Sequence, residues 1–367
     1  MFLSLTRFSA LLLLAAALAS APNAARAQAA GASGDDFLYK VMAGDTLIGL
    51  AQRYTTGTSN WPRLQSLNNV QDTTALPIGK ELRIPFAIIP EVPADAIVVH
   101  VTGQASANGR QISAQSRVPE GQTVVTGPGG FVTLQLTDGS LLSVPSSSSL
   151  TLNRLRAFKN VGLTDSIIHV KQGSVESSVA PKGSGVGRFE VRTPLSITGV
   201  RGTVLRVHAS PQGAQSEVVK GVAHLSSQQS QNATLHQSQG AAIGPQGKLL
   251  GVRPLLPAPA LPPLDPKQFG GRSLSFPAVP GAVKYLVRVS SDAAGADLVS
   301  SQEFTKPEIS FSSPGPGTYY VVVRAIDALG IGGLDARESF KGASVLRSSD
   351  GSPIRTGFGG YVRLTDY

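Results

Sequence analysis

The chain contains no cysteine among its 367 residues. This absence excludes disulfide bonds, thiolate metal sites, a lipid-attachment cysteine and every thiol nucleophile. Thiol peptidases and L,D-transpeptidases are excluded with them, because both classes need a reactive cysteine. The chain must therefore be stabilised by hydrophobic cores, and its length suffices for two or three domains.

Long apolar runs are nearly absent, with one exception at residues 11–19. Arg7 precedes this run, and Ala25-Arg26-Ala27 follows it with the small-x-small pattern of a cleavage site. We predict a secretory signal peptide over residues 1–27, with Gln28 as the first mature residue. The run is shorter than the roughly 20 residues that span a bilayer. A short membrane anchor is the alternative, but we expect a soluble exported product without a transmembrane segment.

Charge is sparse, since only 15% of the residues are charged and no Lys/Arg run occurs. The formal net charge is +9, and removing Arg7 and Arg26 leaves +7, from 30 basic and 23 acidic residues. We expect no nucleic-acid partner for an exported chain of this kind. A mild positive balance fits contact with anionic envelope polymers.

Catalytic motifs are also missing. The histidines show no H-x-H or H-E-x-x-H spacing, and there is no G-x-S-x-G or S-x-x-K motif. They are His100, His169, His208, His224 and His236. No stretch resembles the helical catalytic domain of a lytic transglycosylase. We therefore predict a protein that is not an enzyme, with no catalytic residue, no cofactor and no metal site.

What is present divides the chain into several units, and we predict a multidomain, mainly β protein. A small-residue spacer at 28–36 precedes a β-α-α-β unit at 37–86. An all-β domain follows at 97–253, then a proline-rich linker at 254–268, a β-sandwich at 269–345 and a flexible tail at 346–367. The linker favours an extended spacer, and the alternative is a ligand for an aromatic groove.

The central domain is predicted from period-2 alternation. Val132, Leu134 and Leu136 alternate with polar residues, and Asp138-Gly139 then predicts a hairpin turn. Gln172-Gly173 and Lys220-Gly221 are interpreted as further turns, because valine-containing alternations flank both. No convincing helix is found in this region.

The unit at 37–86 has two short helical patterns between two strands. Leu47, Leu50, Ala51 and Tyr54 recur at helical spacing, and Asp45 is a candidate cap for that helix. Ser59 or Asn60 can cap a second helix that has Pro62 in its first turn. Asn68-Asn69 suits a left-handed exit from it.

This unit resembles a LysM module. The residues that carry the resemblance are Tyr39, Val41, Gly44-Asp45-Thr46-Leu47, Ala51, Tyr54, Trp61, Leu64, Asn68, Pro77, Gly79, Leu82 and Ile84-Pro85. The resemblance implies binding of N-acetylglucosamine glycan, as in peptidoglycan, in a shallow groove between two loops. The candidate glycan-binding residues are Gly44, Asp45, Thr46, Leu47, Ala75, Leu76, Pro77, Ile78 and Gly79.

Each candidate also has a structural interpretation. Gly44 and Gly79 can simply permit turns, and Asp45 can act only as a cap. For Asp45, Leu47 and Trp61 we favour the structural role over direct glycan contact. Leu76 and Ile78 are the apolar side chains that we expect to touch sugar faces.

The region 118–247 resembles a FecR-type domain. The residues that carry this are VPEGQTVVTGPGGFVTLQLTDGSLLSV, HVKQGSVESSV and FEVRTPLSITGVRGTVLRV. Some members of that family pair with a sigma factor through a cytoplasmic segment and one membrane span, and neither is evident here. Arg201, between Gly199 and Gly202, either contacts a ligand or bonds within its own sheet, and we favour the second.

Residues 269–345 resemble a fibronectin type III-like sandwich, carried by LSFPAVPGAVKYLVRVS and GTYYVVVRAIDALGIGG. The resemblance implies that Phe276 takes a position often held by tryptophan and that Tyr285 and Tyr319 anchor the two sheets. Gly317-Thr318-Tyr319 would begin a late strand. A fold used so widely does not indicate a function.

Together these features predict a non-catalytic envelope protein, periplasmic or secreted and associated with the cell wall. In one hypothesis it binds peptidoglycan through the LysM-like unit, and the β domains are displayed modules. In the other, the β domains bind an envelope protein partner and the LysM-like unit only sets the location. A role as an assembly or secretion accessory cannot be separated from these by sequence.

Overall fold

The computed structural model describes residues 29–33, 35–180, 186–200, 202–264, 272–313 and 315–342, with short stretches at 344–346, 348, 354, 357 and 362–364. The molecule is mainly β, with 54% strand and 7% helix, which confirms the predicted fold class. The predicted signal peptide, Arg201 and most of the predicted tail lie outside the described residues. In the described part, neither helix has the length and apolar character needed to cross a bilayer.

The N-terminal unit has the predicted β-α-α-β order. Its elements are strand β1 (Ala29–Ser33), strand β2 (Asp36–Lys40), helix α1 (Leu47–Tyr54), a 3-10 turn (Thr58–Asn60), helix α2 (Trp61–Asn68), strand β3 (Glu81–Pro85) and a second 3-10 turn (Phe86–Ile88). The segment predicted as a spacer contains β1, which pairs antiparallel with β2 and gives the sheet a third strand. Asn69 ends α2 with φ 48°, the left-handed exit predicted for this position.

The central domain contains eighteen strands in the described part. They are β4 (Glu91–Pro93), β5 (Asp95–Thr102), β6 (Ala105–Ala107), β7 (Arg110–Gln111), β8 (Arg117–Pro119), β9 (Thr123–Thr126), β10 (Phe131–Gln135), β11 (Leu141–Val144), β12 (Ser149–Phe158), β13 (Leu163–Ser178), β14 (Val186–Arg192), β15 (Ser196–Val200), β16 (Val204–Ser210), β17 (Gly213–Lys220), β18 (Val222–Ser227), β19 (Asn232–His236), β20 (Gln239–Ile243) and β21 (Leu249–Pro254). They alternate apolar and polar residues, so that each sheet buries one face.

These strands form two sheets over one core. The first sheet runs β7-β6-β9-β12-β13-β14-β15-β18-β19, with β4 also on β12. The second sheet runs β8-β5-β10-β11-β13-β16-β17-β20-β21. All of these pairings are antiparallel except β13 with β14. Inward-facing residues such as Val132, Leu142, Val175 and Leu205 are fully buried between the sheets.

Strand β13 belongs to both sheets, which corrects the turn predicted at Gln172-Gly173. The strand continues through Gly173, whose φ is +82°, and bends there from the first sheet into the second. A side chain at Gly173 would lie 2.6 Å from Cα of Ser148, so only glycine allows this close crossing. A glycine bend within a strand and a hairpin turn have the same local sequence pattern, which is why a turn was predicted here.

The other two predicted turns are present. Asp138-Gly139 connects β10 and β11, which pair antiparallel, and Gly139 has φ +84°. This confirms the predicted hairpin. Gly221 separates β17 from β18, but β17 registers with β16 and β20 whereas β18 registers with β15 and β19. The Lys220-Gly221 turn is therefore a corner between the two sheets.

The C-terminal region is also mostly β. Its strands are β22 (Arg272–Ser275), β23 (Ala282–Ser290), β24 (Leu298–Phe304), β25 (Glu308–Phe311), β26 (Gly317–Asp327), β27 (Gly332–Gly342), β28 (Ser344–Val345) and β29 (Arg363–Leu364). Strands β22 and β25 form one sheet, and β24-β23-β26-β27 form another. Phe276, Tyr285 and Tyr319 are buried in the shared core, and β26 begins at Gly317 as expected. The resemblance to fibronectin type III remains a prediction.

The N-terminal unit and the central domain share a hydrophobic core. Phe158, Val161 and Leu163 of the central domain pack into the cluster that holds the LysM-like unit together. The rings of Phe86 and Phe158 stack with centroids 4.3 Å apart. Strand β4 then leads directly onto β12. The N-terminal unit is thus fixed to the central domain by packing as well as by the chain connection.

The proline-rich segment, predicted as a spacer, is packed along the C-terminal region. Leu255 is buried with Ala242 and Ile331, and the carbonyl of Leu256 accepts a hydrogen bond from N–H of Leu334 at 2.8 Å. Leu261 packs against the C-terminal core. The leucines of the segment supply apolar contacts that its prolines alone do not, and these contacts hold it in place.

Candidate functional site

The two predicted glycan loops lie next to each other. N–H of Leu47 donates to the carbonyl of Thr73 at 3.3 Å, and N–H of Gly79 donates to the carbonyl of Val41 at 2.8 Å. Gly44 and Gly79 have φ of +84° and +83°, where other residues are strained. The structure therefore brings the segments 44–47 and 75–79 together at one end of the N-terminal sheet.

Asp45 has a structural role, but it is not the helix cap that the sequence predicted. The cap of α1 is Thr46, whose Oγ1 accepts from N–H of Gly49 at 3.1 Å. The carboxylate of Asp45 instead accepts from Tyr39 Oη at 2.6 Å and from N–H of Met42 at 2.8 Å. Burial, together with this hydrogen bond, raises the pKa of Tyr39 well above its usual value. Asp45 thus holds the first loop against the core.

Two of the candidate apolar contacts are buried in the core. Leu47 is fully buried and Leu76 is 8% exposed, so neither side chain is free to touch a sugar face. This corrects the expectation for Leu76. Ile78 is 72% exposed, and Ile48, which the sequence reasoning missed, is 51% exposed in the first turn of α1. One exposed isoleucine thus lies on the second loop and another directly after the first. The helical spacing of the buried residues places Ile48 on the polar face of α1.

A second group of side chains lies on the outer face of the second sheet. Cross-strand neighbours form a continuous polar row over this sheet, namely His100, Thr133, Ser143, Glu176, Arg206, Glu217, Gly240 and Arg253. The C-terminal region covers the row. Thr133 Oγ1 donates to the carbonyl of Ala296 at 2.8 Å, and Arg253 lies 3.5 Å from Asp327.

Six charged side chains meet in the middle of this interface, and we call them the interdomain charge cluster: Glu176, Arg206, Glu217, Arg288, Arg324 and Asp335. Arg324 donates to Glu176 at 2.7 Å and to Asp335 at 2.6 Å. Arg206 donates to Asp335 at 2.9 Å, and Glu217 accepts from N–H of Gly332 at 2.6 Å. Three guanidiniums balance three carboxylates, so no charge in the cluster is left uncompensated.

The pKa values follow from this arrangement. Burial disfavours the ionised carboxyl of Glu176, but Arg288 and Arg324 outweigh burial and hold its pKa well below the usual range. Burial likewise opposes ionisation of Asp335, and Arg324 and Arg206 lower its pKa. In Glu217 burial prevails and raises the pKa. Two carboxylates of the cluster therefore stabilise the folded chain only when ionised, and the third partly offsets them.

The cluster predicts acid sensitivity. The stabilising effect of Glu176 and Asp335 is complete above their unfolded-state pKa values of about 4, and is lost as the pH falls through their lower folded-state values. We expect the melting temperature to fall steeply below about pH 4. The melting temperature of a Glu176→Gln variant should depend less on pH in this range. Equal slopes for the two proteins in calorimetry would contradict the assignment.

The sequence reasoning missed the charge cluster. Each member alternates with apolar neighbours, as Arg206 does between Leu205 and Val207, and such positions are usually solvent-facing. The available indication was that Arg288 and Arg324 also stand between apolar residues, in strands of the C-terminal region. In the described residues, no three His, Asp or Glu side chains come together in a way that could hold a metal ion.

Two family models match the chain. Residues 39–85 match the LysM domain, and residues 122–224 match the FecR protein family. The matches confirm both predicted resemblances in the predicted order, and neither covers half of the chain. The LysM match suggests peptidoglycan binding by the N-terminal unit. No curated protein matches the chain.

Several solved structures are similar to parts of the chain. Two crystal structures of a candidate anti-sigma factor from Parabacteroides distasonis match with 15% identity and a TM-score of 0.30, over 36% of this chain and 59% of theirs. The extracellular domain of a candidate one-component system from B. thetaiotaomicron matches with 10% identity and a TM-score of 0.17, over 59% of this chain and 36% of that one. These scores are too low to carry a functional conclusion.

Proposed function

We propose that this chain is a non-catalytic, exported envelope protein that binds the N-acetylglucosamine glycan of peptidoglycan. The segments 44–47 and 75–79 form the binding groove, and the central and C-terminal domains are held next to the wall. Export rests on the sequence pattern of residues 1–27, and it places the protein in the periplasm or outside the cell.

The observation that carries the proposal is the pair of exposed isoleucines, with Ile78 on the second loop and Ile48 directly after the first. Ile48 and Ile78 expose apolar surface on a unit whose other large apolar side chains are mostly buried. Sugar rings present apolar C–H faces, and backbone N–H and C=O groups of the glycine turns can bond acetamido groups. The adjacent loops thus combine the two kinds of contact that an N-acetylated sugar requires.

The proposal predicts that Ile48→Asp combined with Ile78→Asp weakens peptidoglycan binding at least about tenfold, through lost apolar contact. Both side chains are exposed, and Asp is acceptable in the first turn of a helix, so the fold should be retained. Binding is measured by co-sedimentation of the mature chain with purified peptidoglycan.

The matched control is Ile197→Asp, which changes an isoleucine of 41% exposure on β15, away from the loops. It should bind like the unchanged chain. If the double variant sediments as well as the control, or if lysozyme-digested peptidoglycan gives the same retention, the groove is not the glycan site.

A second function, binding of an envelope protein by the β domains, is favoured by the cleft that lies between them. Co-precipitation from crosslinked envelopes can test it. A chain truncated before residue 97 would expose Phe158, because the N-terminal unit covers that ring. The Ile48→Asp, Ile78→Asp variant is therefore the better comparison, since it removes the glycan contact and keeps the shared core. A partner retained by this variant supports protein binding that does not depend on glycan.

A further inference from the structure

A cleft of about 770 Å³ opens between the central domain and the C-terminal region, next to the interdomain charge cluster. Its size lies within the ~300–1,000 Å³ typical of ligand sites. One wall is the end of the β16–β17 hairpin, with His208 and Gln212. The other wall is strand β24 at Ser301–Glu303, and Glu176 and Arg288 line the floor. None of the predicted glycan-binding residues contributes to it.

Two buried polar atoms of residues that line this cleft have no hydrogen-bond partner among the described residues. Gln215 is 8% exposed, and its Nε2 donates to the carbonyl of Leu329 at 2.9 Å, while its Oε1 accepts nothing. The Leu329 carbonyl fixes this orientation of the amide, because a flipped amide would place two acceptors together. Nε of Arg288 is likewise unpaired, although the same guanidinium contacts Glu176 at 2.8 Å.

An unpaired buried polar atom is destabilising, because it loses its hydrogen bonds to water and gains none in the protein. The surrounding cluster satisfies its other charges by direct contacts, so these two atoms are the unsatisfied polar groups at the border of the cleft. They are one acceptor and one donor. A peptide group supplies the complementary N–H and C=O together.

The wall at Ser301–Glu303 adds a backbone template. Strand β24 registers only with β23 in the described part of the chain, so its other edge is free. The start of that edge is used by the central domain, where Thr102 Oγ1 donates to the carbonyl of Leu298 at 2.8 Å. The remainder lies along the cleft. A free edge of this kind accepts an added strand through main-chain hydrogen bonds.

The charge of the cleft limits the ligand class. Lys284 pairs with Glu303 at 2.9 Å, and the interdomain charge cluster is balanced. His208 is hydrogen bonded to Ser174 at 2.8 Å, and burial, aided by Lys284, lowers its pKa, which keeps the imidazole neutral. A balanced site of this kind favours a polar ligand of low net charge over a polyanion.

We propose that this cleft binds an extended peptide segment of a partner protein. The segment adds to the free edge of β24 through main-chain hydrogen bonds, and its peptide groups supply the partners that Oε1 of Gln215 and Nε of Arg288 lack. This inference names the site and the ligand chemistry for protein binding by the β domains, and it does not depend on glycan binding.

The experiment uses a phage-displayed library of random dodecapeptides, selected on the immobilised mature chain. Enriched peptides are synthesised and titrated by fluorescence anisotropy. Gln212→Trp should weaken binding at least about tenfold, because the indole would fill the cleft. The matched control is Gln246→Trp, an exposed glutamine in another hairpin turn of the same sheet, outside the cleft. It should change the affinity less than about twofold.

Two further measurements keep the proposal testable if Gln212→Trp does not fold. Gln215→Met removes the free acceptor at similar volume and should also weaken binding, which covers the case that Gln212→Trp unfolds. Methylation of alternate backbone amides of the peptide should abolish binding if it pairs with β24. Enrichment of no peptide, or equal binding to Gln212→Trp and Gln246→Trp, would overturn the proposal. The Ile48→Asp, Ile78→Asp variant should bind the peptides normally, so failure of the glycan proposal is distinguishable.

Discussion

Replacing Arg324 by alanine is expected to lower the free energy of unfolding by about 3–5 kcal/mol, because it leaves three buried carboxylates with only two guanidiniums. The guanidinium is 7% exposed and bonds both Glu176 and Asp335. Without Arg324, Glu176 keeps Arg288 at 2.8 Å, and Asp335 keeps Arg206 at 2.9 Å. The remaining charges are then unbalanced by one, at a site where the side chains of Arg206 and Glu217 are less than a tenth exposed.

The effect should appear first at the interface between the central domain and the C-terminal region. Calorimetry is expected to show a lower first transition, and limited proteolysis is expected to cut the 254–264 segment faster. Arg337→Ala is the control, since Arg337 lies in the neighbouring strand β27, opposite Val322 of β26, and is exposed. It should cost less than about 1 kcal/mol. Equal effects of the two substitutions would show that the charge cluster does not hold the domains together.

Replacing Phe158 by alanine is expected to cost about 3–5 kcal/mol, the usual range for a buried phenylalanine. Phe158 is 4% exposed, stacks on Phe86 and belongs to the core of the N-terminal unit although it lies in the central domain. The substitution therefore opens a cavity at the junction of the two. We expect the N-terminal unit to move independently, which small-angle scattering would record as a larger radius of gyration.

The neighbouring strand offers a control for this substitution. Val92 of β4 registers with Ala157 and is 36% exposed, so Val92→Ala should change stability by less than about 1 kcal/mol. Peptidoglycan binding should persist in Phe158→Ala, because Ile48 and Ile78 are exposed and lie outside the core that Phe158 joins. An unchanged scattering profile would mean that other contacts fix the N-terminal unit.

The sequence was sufficient where local patterns decide the structure. Alternation around Asp138-Gly139 predicted the hairpin of β10 and β11, and helical spacing predicted α1 and α2. It failed at Gly173, where the decisive fact is the close approach of Ser148 from a distant part of the chain. No local pattern contains that information.

The candidate site shows the same division. The glycine-containing loops could be located from sequence, because glycine at positive φ marks them. The sequence did not show which side chains point outward, since Leu76 and Ile78 lie two residues apart and differ only in packing. The charge cluster could not be predicted from the sequence for a related reason. Alternation identifies the outer face of a sheet, but it does not show what covers that face.

The shared core around Phe158 has a consequence for how copies of the chain are arranged. A wall-binding module on a flexible linker leaves the orientation of the attached domains free. A module that packs against those domains fixes their orientation relative to the glycan strand. If every copy binds the glycan strand in the same direction, copies bound along one strand would present their peptide clefts on the same side. The wall would then set orientation as well as position.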